Sequence, residues 1–168
     1  LADHINCTDY DEDNDMAIEL YLPGTPTPKG RGRATRTGRV YTPSATRKAE
    51  DTLAGRAAAQ LEAMPDDVRP RLPLAGPLHL TVAFDMPIPS SWSQRKRTAA
   101  ISESVLPTSK PDLDNLLKLV IDALNGLAWV DDSQIVGITT TKRYASTPGV
   151  TVIIDTVGAI DVVKAVAA

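Results

Sequence analysis

The run "KPDLDNLLKLVIDALNGLAWVDDSQIV", residues 110–136, constrains the fold more than any other stretch of the chain. Leu113, Leu116, Leu117, Val120 and Leu124 recur at helical spacing. At ~100° per residue they form one apolar stripe, which is stable only against a core. Pro111-Asp112 supplies a start signal and Asn125-Gly126 a stop. The opposite side carries Asp114, Lys118 and Asp122 at i, i+4 and i+8. Asp112 stands at the start of the helix, and Asp131 and Asp132 follow its end.

These acids admit two readings. In one, Asp112 caps the helix, Asp114 favours the helix dipole, and Asp114, Lys118 and Asp122 form a solvated ion-pair ladder. In the other, Asp112 and Asp114 lie within one turn and share a hard cation. Asp131 or Asp132 then returns as a further ligand, and Lys118 faces a phosphate. Mg²⁺ takes oxygen ligands and keeps several waters, so two or three carboxylates suffice. Spacing alone leaves both readings open.

The rest of the chain predicts a mixed sheet covered by helices, an α/β protein of the α+β type. Its 168 residues, 42 % of them apolar, suit one domain with a sizeable core. Strands are predicted over 17–22 and 78–87, the second with Leu78, Leu80, Val82 and Phe84 on one face. An Ala-rich helix is expected from Ser44, as its N-cap, to about Met64. A short basic helix follows Pro89. Residues 134–145 and 149–155 read as a hairpin around "STPG", and 158–167 as a weak closing helix.

Charge is placed unevenly. The formal net charge is −3. Residues 1–15 hold six acids and no Lys or Arg, whereas the other 153 residues hold all 18 cations against 15 acids. The first 15 residues therefore read as an acidic tail, with "MAIELYLPG" resembling a natural start, and 16–168 as the functional domain. A basic body favours phosphate. Lys29, Arg31, Arg33, Arg36 and Arg39 form one cationic run, and Arg95, Lys96 and Arg97 a second. Trp92 is placed to stack on a base or to cover the core, whereas Trp129 reads as core. The lone Cys7 excludes an intramolecular disulfide, and no apolar run is long enough to span a bilayer. His4 in the tail and His79 in a strand offer no Ser-His-Asp set.

The quoted run resembles the signature of the RusA-type Holliday junction resolvases, K-P-D-x-D-N-x-x-K-x-x-x-D-x-L-N-G followed by D-D-x-Q-I/V. "GTPTPKGRGRATRTGRVYTPSATRKAE" is similar to that family's basic N-terminal segment, and "PSSWSQRKRTAA" to its W-S-x-K/R-K-R element. The resemblance implies a single RusA-like domain acting on four-way DNA junctions as a homodimer with Mg²⁺ or Mn²⁺. It implies Asp112, Asp114 and Asp132 as catalytic, metal-holding aspartates and Lys118 as the functional lysine. Some members carry a basic residue where Pro111 stands, so Lys110 is the nearest cation for that contact. Many members come from phages and prophages, so a bacterial cytoplasm is the expected setting. A junction-binding module without catalysis is the competing expectation.

Overall fold

The computed structural model describes residues 17–30, 33–34, 37, 40–41, 43–66 and 68–157. The acidic tail, the expected helix over 158–167, and Arg31, Arg36 and Arg39 lie outside the described residues.

Four strands make the main sheet: β1 (Ala17–Pro23), β4 (Leu78–Pro87), β5 (Ile135–Ala145) and β6 (Gly149–Thr156). Their order is β1-β6-β4-β5, with β4 and β5 parallel and the other neighbours antiparallel. The short β2 (Arg33–Ala34) and β3 (Val40–Tyr41) pair with each other, in the cationic segment. The helices are α1 (Ser44–Glu62), α2 (Gln94–Ile101) and α3 (Leu113–Leu124).

Alternation builds the core. Ile18, Leu20 and Leu22 stand opposite Ile154, Val152 and Val150, which stand opposite Leu80, Val82 and Phe84. All nine are buried, and Leu116, Val120 and Leu124 of α3 and Ala57 and Leu61 of α1 join them. The predicted stripe of α3 is thus the face that covers the sheet. The period-2 rule sends Glu19, Tyr21, Thr139 and Thr141 to the other face, where they are exposed.

Two expectations are corrected. Ser44 is the first residue of α1, and Pro43 is its N-cap, with no side-chain capping bond. The fixed φ of Pro43 suits that position, and its carbonyl accepts from Thr46 and Arg47. The second correction concerns the hairpin. Both strands exist, but β4 lies between them: Phe84 is opposite Lys142 on one side and Val150 on the other. Residues 146–148 cross the end of β4, a span of ~10 Å that four Cα steps of ~3.8 Å cover. The burial of β4 suits the centre of a sheet, whereas β5, with Thr139, Thr141 and Arg143 exposed, suits an edge.

Candidate active site

Helix α3 presents its acids from its N-terminal end. Asp112 occupies the N-cap position, yet its side chain makes no capping hydrogen bond. Both of its oxygens are therefore open, and the residue is exposed. Asp114 lies in the first turn, also exposed, and accepts from Asn115 Nδ2 at 3.3 Å. Backbone N–H groups at a helix start favour negative charge there, which offsets part of the repulsion between the two carboxylates.

The ladder expected along α3 forms only in its second half. Lys118 Nζ lies 3.6 Å from Asp122 Oδ1, with 64 % of its side chain exposed. Asp122 also receives Lys29, whose ammonium is 2.9 Å from Glu50 Oε1 of α1. Lys29 N donates to Asn115 O, so this residue ties α3 to α1. Partial burial pulls the Lys29 ammonium down, but Asp122 and Glu50 outweigh it, and its pKa rises above the ordinary 10.5. Lys29 is thereby paired with two carboxylates and also lines the cleft beside Asp112. Arg33 is placed by its backbone alone, opposite Tyr41.

An open cleft of about 760 Å³ adjoins Asp112, lined by Pro26, Pro28, Pro87, Lys110, Asn115 and Tyr144 among others. Tyr144 meets Trp92 edge to face, with ring centroids 5.0 Å apart, and Lys96 Nζ lies 3.8 Å over the Trp92 ring. These contacts tie Trp92 and Lys96, at the start of the basic α2 with Arg95 and Arg97, to Tyr144 in the cleft wall. Trp129 is fully buried in the core, as expected.

Lys142 escapes a reading by motif. Its Nζ donates to Ser109 O at 3.0 Å and to Pro111 O at 2.9 Å, which secures the segment leading into Asp112. In sequence it is one cation in a threonine-rich strand, and nothing local links it to residues thirty positions earlier.

Asp131 and Asp132 divide their work. Asp131 caps a short 3₁₀ turn over Asp132–Gln134: it accepts from Ser133 N at 2.9 Å, and Gln134 Oε1 accepts from Asp131 N at 2.8 Å. The Ser133 hydrogen bonds hold the Asp131 carboxyl below its ordinary value of 3.8. Asp132 is exposed. This pair sits at the far end of α3 from Asp112. Gln134 Nε2 donates to Leu74 O and Gly76 O, and Ile135 pairs with Leu78 at the start of β4. Pro111 is held by Lys142, opposite Phe84 near the other end of β4. Six strand steps of ~3.3 Å put the two ends ~20 Å apart, and the 12 residues of α3 at 1.5 Å each give ~18 Å. Asp112 and Asp114 stand at one end of α3, and Asp132 lies beyond the other. Among the described residues, no group of three His, Cys, Asp or Glu side chains could hold a metal ion.

Comparison with known proteins identifies the family. A protein of Bacillus subtilis (strain 168), the uncharacterized protein YqaN, is 35 % identical over 146 residues, covering 84 % of this chain and 98 % of the relative. The sequence model of the family described as endodeoxyribonuclease RusA matches residues 23–155. That span takes in β1's end, all three helices, the cleft and both sets of acids, and the chain belongs to the RusA endodeoxyribonuclease family.

Proposed function

We propose that this protein resolves four-way DNA junctions by paired, divalent-metal-dependent phosphodiester hydrolysis, acting as a homodimer in a bacterial cytoplasm. The observation that carries the reading is Asp112: an N-cap residue that does not cap, exposed beside Asp114 at the edge of a cleft. A pure DNA binder loses affinity by presenting two open carboxylates to phosphates, whereas a metal-dependent nuclease needs them.

The donor chemistry fits a hydrated Mg²⁺ or Mn²⁺ held by Asp112 and Asp114, since such ions take one or two carboxylates together with substrate phosphates. A bound ion of this kind lowers the pKa of its water and neutralises phosphoryl charge. The remaining work belongs to the chain. Lys118, exposed one turn from Asp114, supplies a cation for charge that develops on the phosphate. Lys142 fixes the backbone before Asp112, so the carboxylate need not be ordered when DNA binds. Lys110 and α2 provide phosphate contacts around the cleft. No helix among the described residues is long and apolar enough to cross a membrane.

The test uses a synthetic four-way junction and a matched linear duplex, each with and without Mg²⁺. Wild type is expected to cut the junction in symmetric positions only with the metal and to leave the duplex intact. Asp112→Asn and Asp114→Asn should each lower cleavage by at least ~100-fold while binding the junction as well or more tightly. Cleavage that persists in both variants removes the acids from the reaction. Binding without cleavage in the wild type leaves the non-catalytic module as the function.

A further inference from the structure

We propose that Asp85 and Arg143 are positioning residues for the nuclease site: through Glu103 they hold residues 92–111, and with them the entry to Asp112, in one place on the end of β5. The inference rests on the nuclease reading above and adds residues that act through Glu103 rather than on the phosphate. Asp85 is the one charged residue buried among the described residues. A buried carboxylate persists where it is paired. Its partner is Arg143, directly opposite on β5, whose Nε donates to Asp85 Oδ1 at 2.7 Å. Apolar side chains of similar volume often replace such a pair without loss of stability, so stability alone gives little reason for it.

What the pair does is fix the guanidinium. With Nε held by Asp85, Nη1 lies 3.6 Å from Glu103 Oε1. Glu103 follows Ser102, the C-cap of α2, and has φ 57°. That left-handed position after a helix is ordinarily taken by glycine, because a Cβ is strained there. Here a residue with a carboxylate fills it, and that carboxylate is the one beside Arg143.

Arg143 is the middle of three neighbours on β5, each holding a different part of one segment. Tyr144 meets Trp92 before α2, Arg143 meets Glu103 after it, and Lys142 donates to the carbonyls of Ser109 and Pro111. Strand alternation puts Arg143 on the opposite face of the sheet from Lys142 and Tyr144, so the segment is gripped from both faces of an edge strand. Helix α2 buries only Ala100 and has no apolar stripe of its own to fix it. The three side chains of β5 therefore keep the cations of α2 and the carboxylate of Asp112 in a constant relation. A misplacement of ~1 Å at such a site can cost ~100-fold in rate.

The test compares two variants of the full chain. Asp85→Leu/Arg143→Met replaces the pair by apolar side chains, and Glu103→Gln breaks only the outer link, at an exposed side chain. Both should melt within a few degrees of wild type. Single-turnover cleavage of a four-way junction at saturating protein should fall about tenfold in the first and about threefold in the second, with Kd for the junction within about twofold of wild type. Adding Glu103→Gln to the apolar pair should lower the rate no further, because the link is already broken. Hydrogen exchange gives a readout apart from activity. The Val105 amide, which donates to Ala99 O, should exchange at least ~threefold faster in both variants, with the amides of α1 unchanged. If the apolar pair does not fold, Glu103→Gln decides alone. Unchanged cleavage in Glu103→Gln overturns the inference, whether or not exchange rises, and leaves the nuclease reading standing. Losses that add in the triple variant remove the relay from Arg143 to Glu103 and overturn it too. A loss of junction affinity at an unchanged rate makes Arg143 a DNA contact instead. Failure of the wild type to cut removes the nuclease reading, and this inference with it.

Discussion

At the scale of single residues, two lysines have structural roles that charge counting does not separate from DNA contacts. Lys29 joins α1 to α3 through Glu50 and Asp122. Replacing it by Met should cost about 1–2 kcal/mol, because two carboxylates lose their cation. The pH dependence has a definite sign. A lysine whose folded pKa is raised adds stability that is fully present below the ordinary 10.5 and disappears as pH rises through the folded value. Denaturation of wild type and Lys29→Met should therefore differ by a constant amount from neutral pH to about pH 10, with the gap closing above that. A gap that widens with alkali contradicts the assignment. Lys142 is the second case. Lys142→Met removes two hydrogen bonds to backbone carbonyls and should cost about 1–3 kcal/mol. It should also lower the junction-cutting rate by about tenfold or more, with junction affinity little changed, because the loop before Asp112 loosens. A large loss of affinity at an unchanged rate makes Lys142 a DNA contact instead.

At the scale of elements, α3 separates its functions along its length. Its apolar stripe holds the sheet, its first turn carries Asp112 and Asp114, and its last turn ends on Gly126 at φ 73°. That left-handed residue turns the chain toward buried Trp129 and so to Asp131 and Asp132. Helix α2 is of another kind: only Ala100 is buried, and it is held in place through Trp92 and Tyr144 rather than by a stripe. Arg95 is exposed and Arg97 half-exposed, while Lys96 is drawn over the Trp92 ring. Joint replacement of Arg95 and Arg97 by Ala should flatten the log–log salt dependence of junction binding by roughly one to two. Duplex binding should weaken alike, since backbone contacts carry no sequence information. An unchanged slope moves the phosphate track to the cationic segment around β2 and β3.

At the scale of the whole molecule, the placement of charge dominates. The net charge of −3 belongs to the first 15 residues, without which the chain carries +3. Deleting residues 1–15 should leave junction cleavage unchanged and tighten binding at low salt. The gain should fade as the Debye length shortens from ~10 Å at 0.1 M to ~3 Å at 1 M. Loss of cleavage on deletion assigns the tail a part in the site. On the proposed function two strands are to be cut, and two-fold repetition of one small chain would meet that need.

Local order was legible in the sequence. The stripe Leu113 to Leu124, the Asn125-Gly126 stop, the alternation of Leu78 to Phe84 and the Asp112–Asp114 pair all depend on neighbours a few residues away, and each stands where its spacing puts it. Strand partnership was not legible, because residues 146–148 suit a hairpin as well as a crossing. The greater burial of β4, a property of the sheet, put it between β5 and β6. The capping motif gave no sign that Asp112 leaves its cap unmade while Asp131 makes one. Nor did the charge pattern reveal that Lys29 is spent on Asp122 and Glu50. Above all, sequence puts Asp112 and Asp132 twenty positions apart and says nothing of their distance in space. The 12 residues of α3 between them turn those positions into ~18 Å, a separation set by the helix rather than by the count of residues.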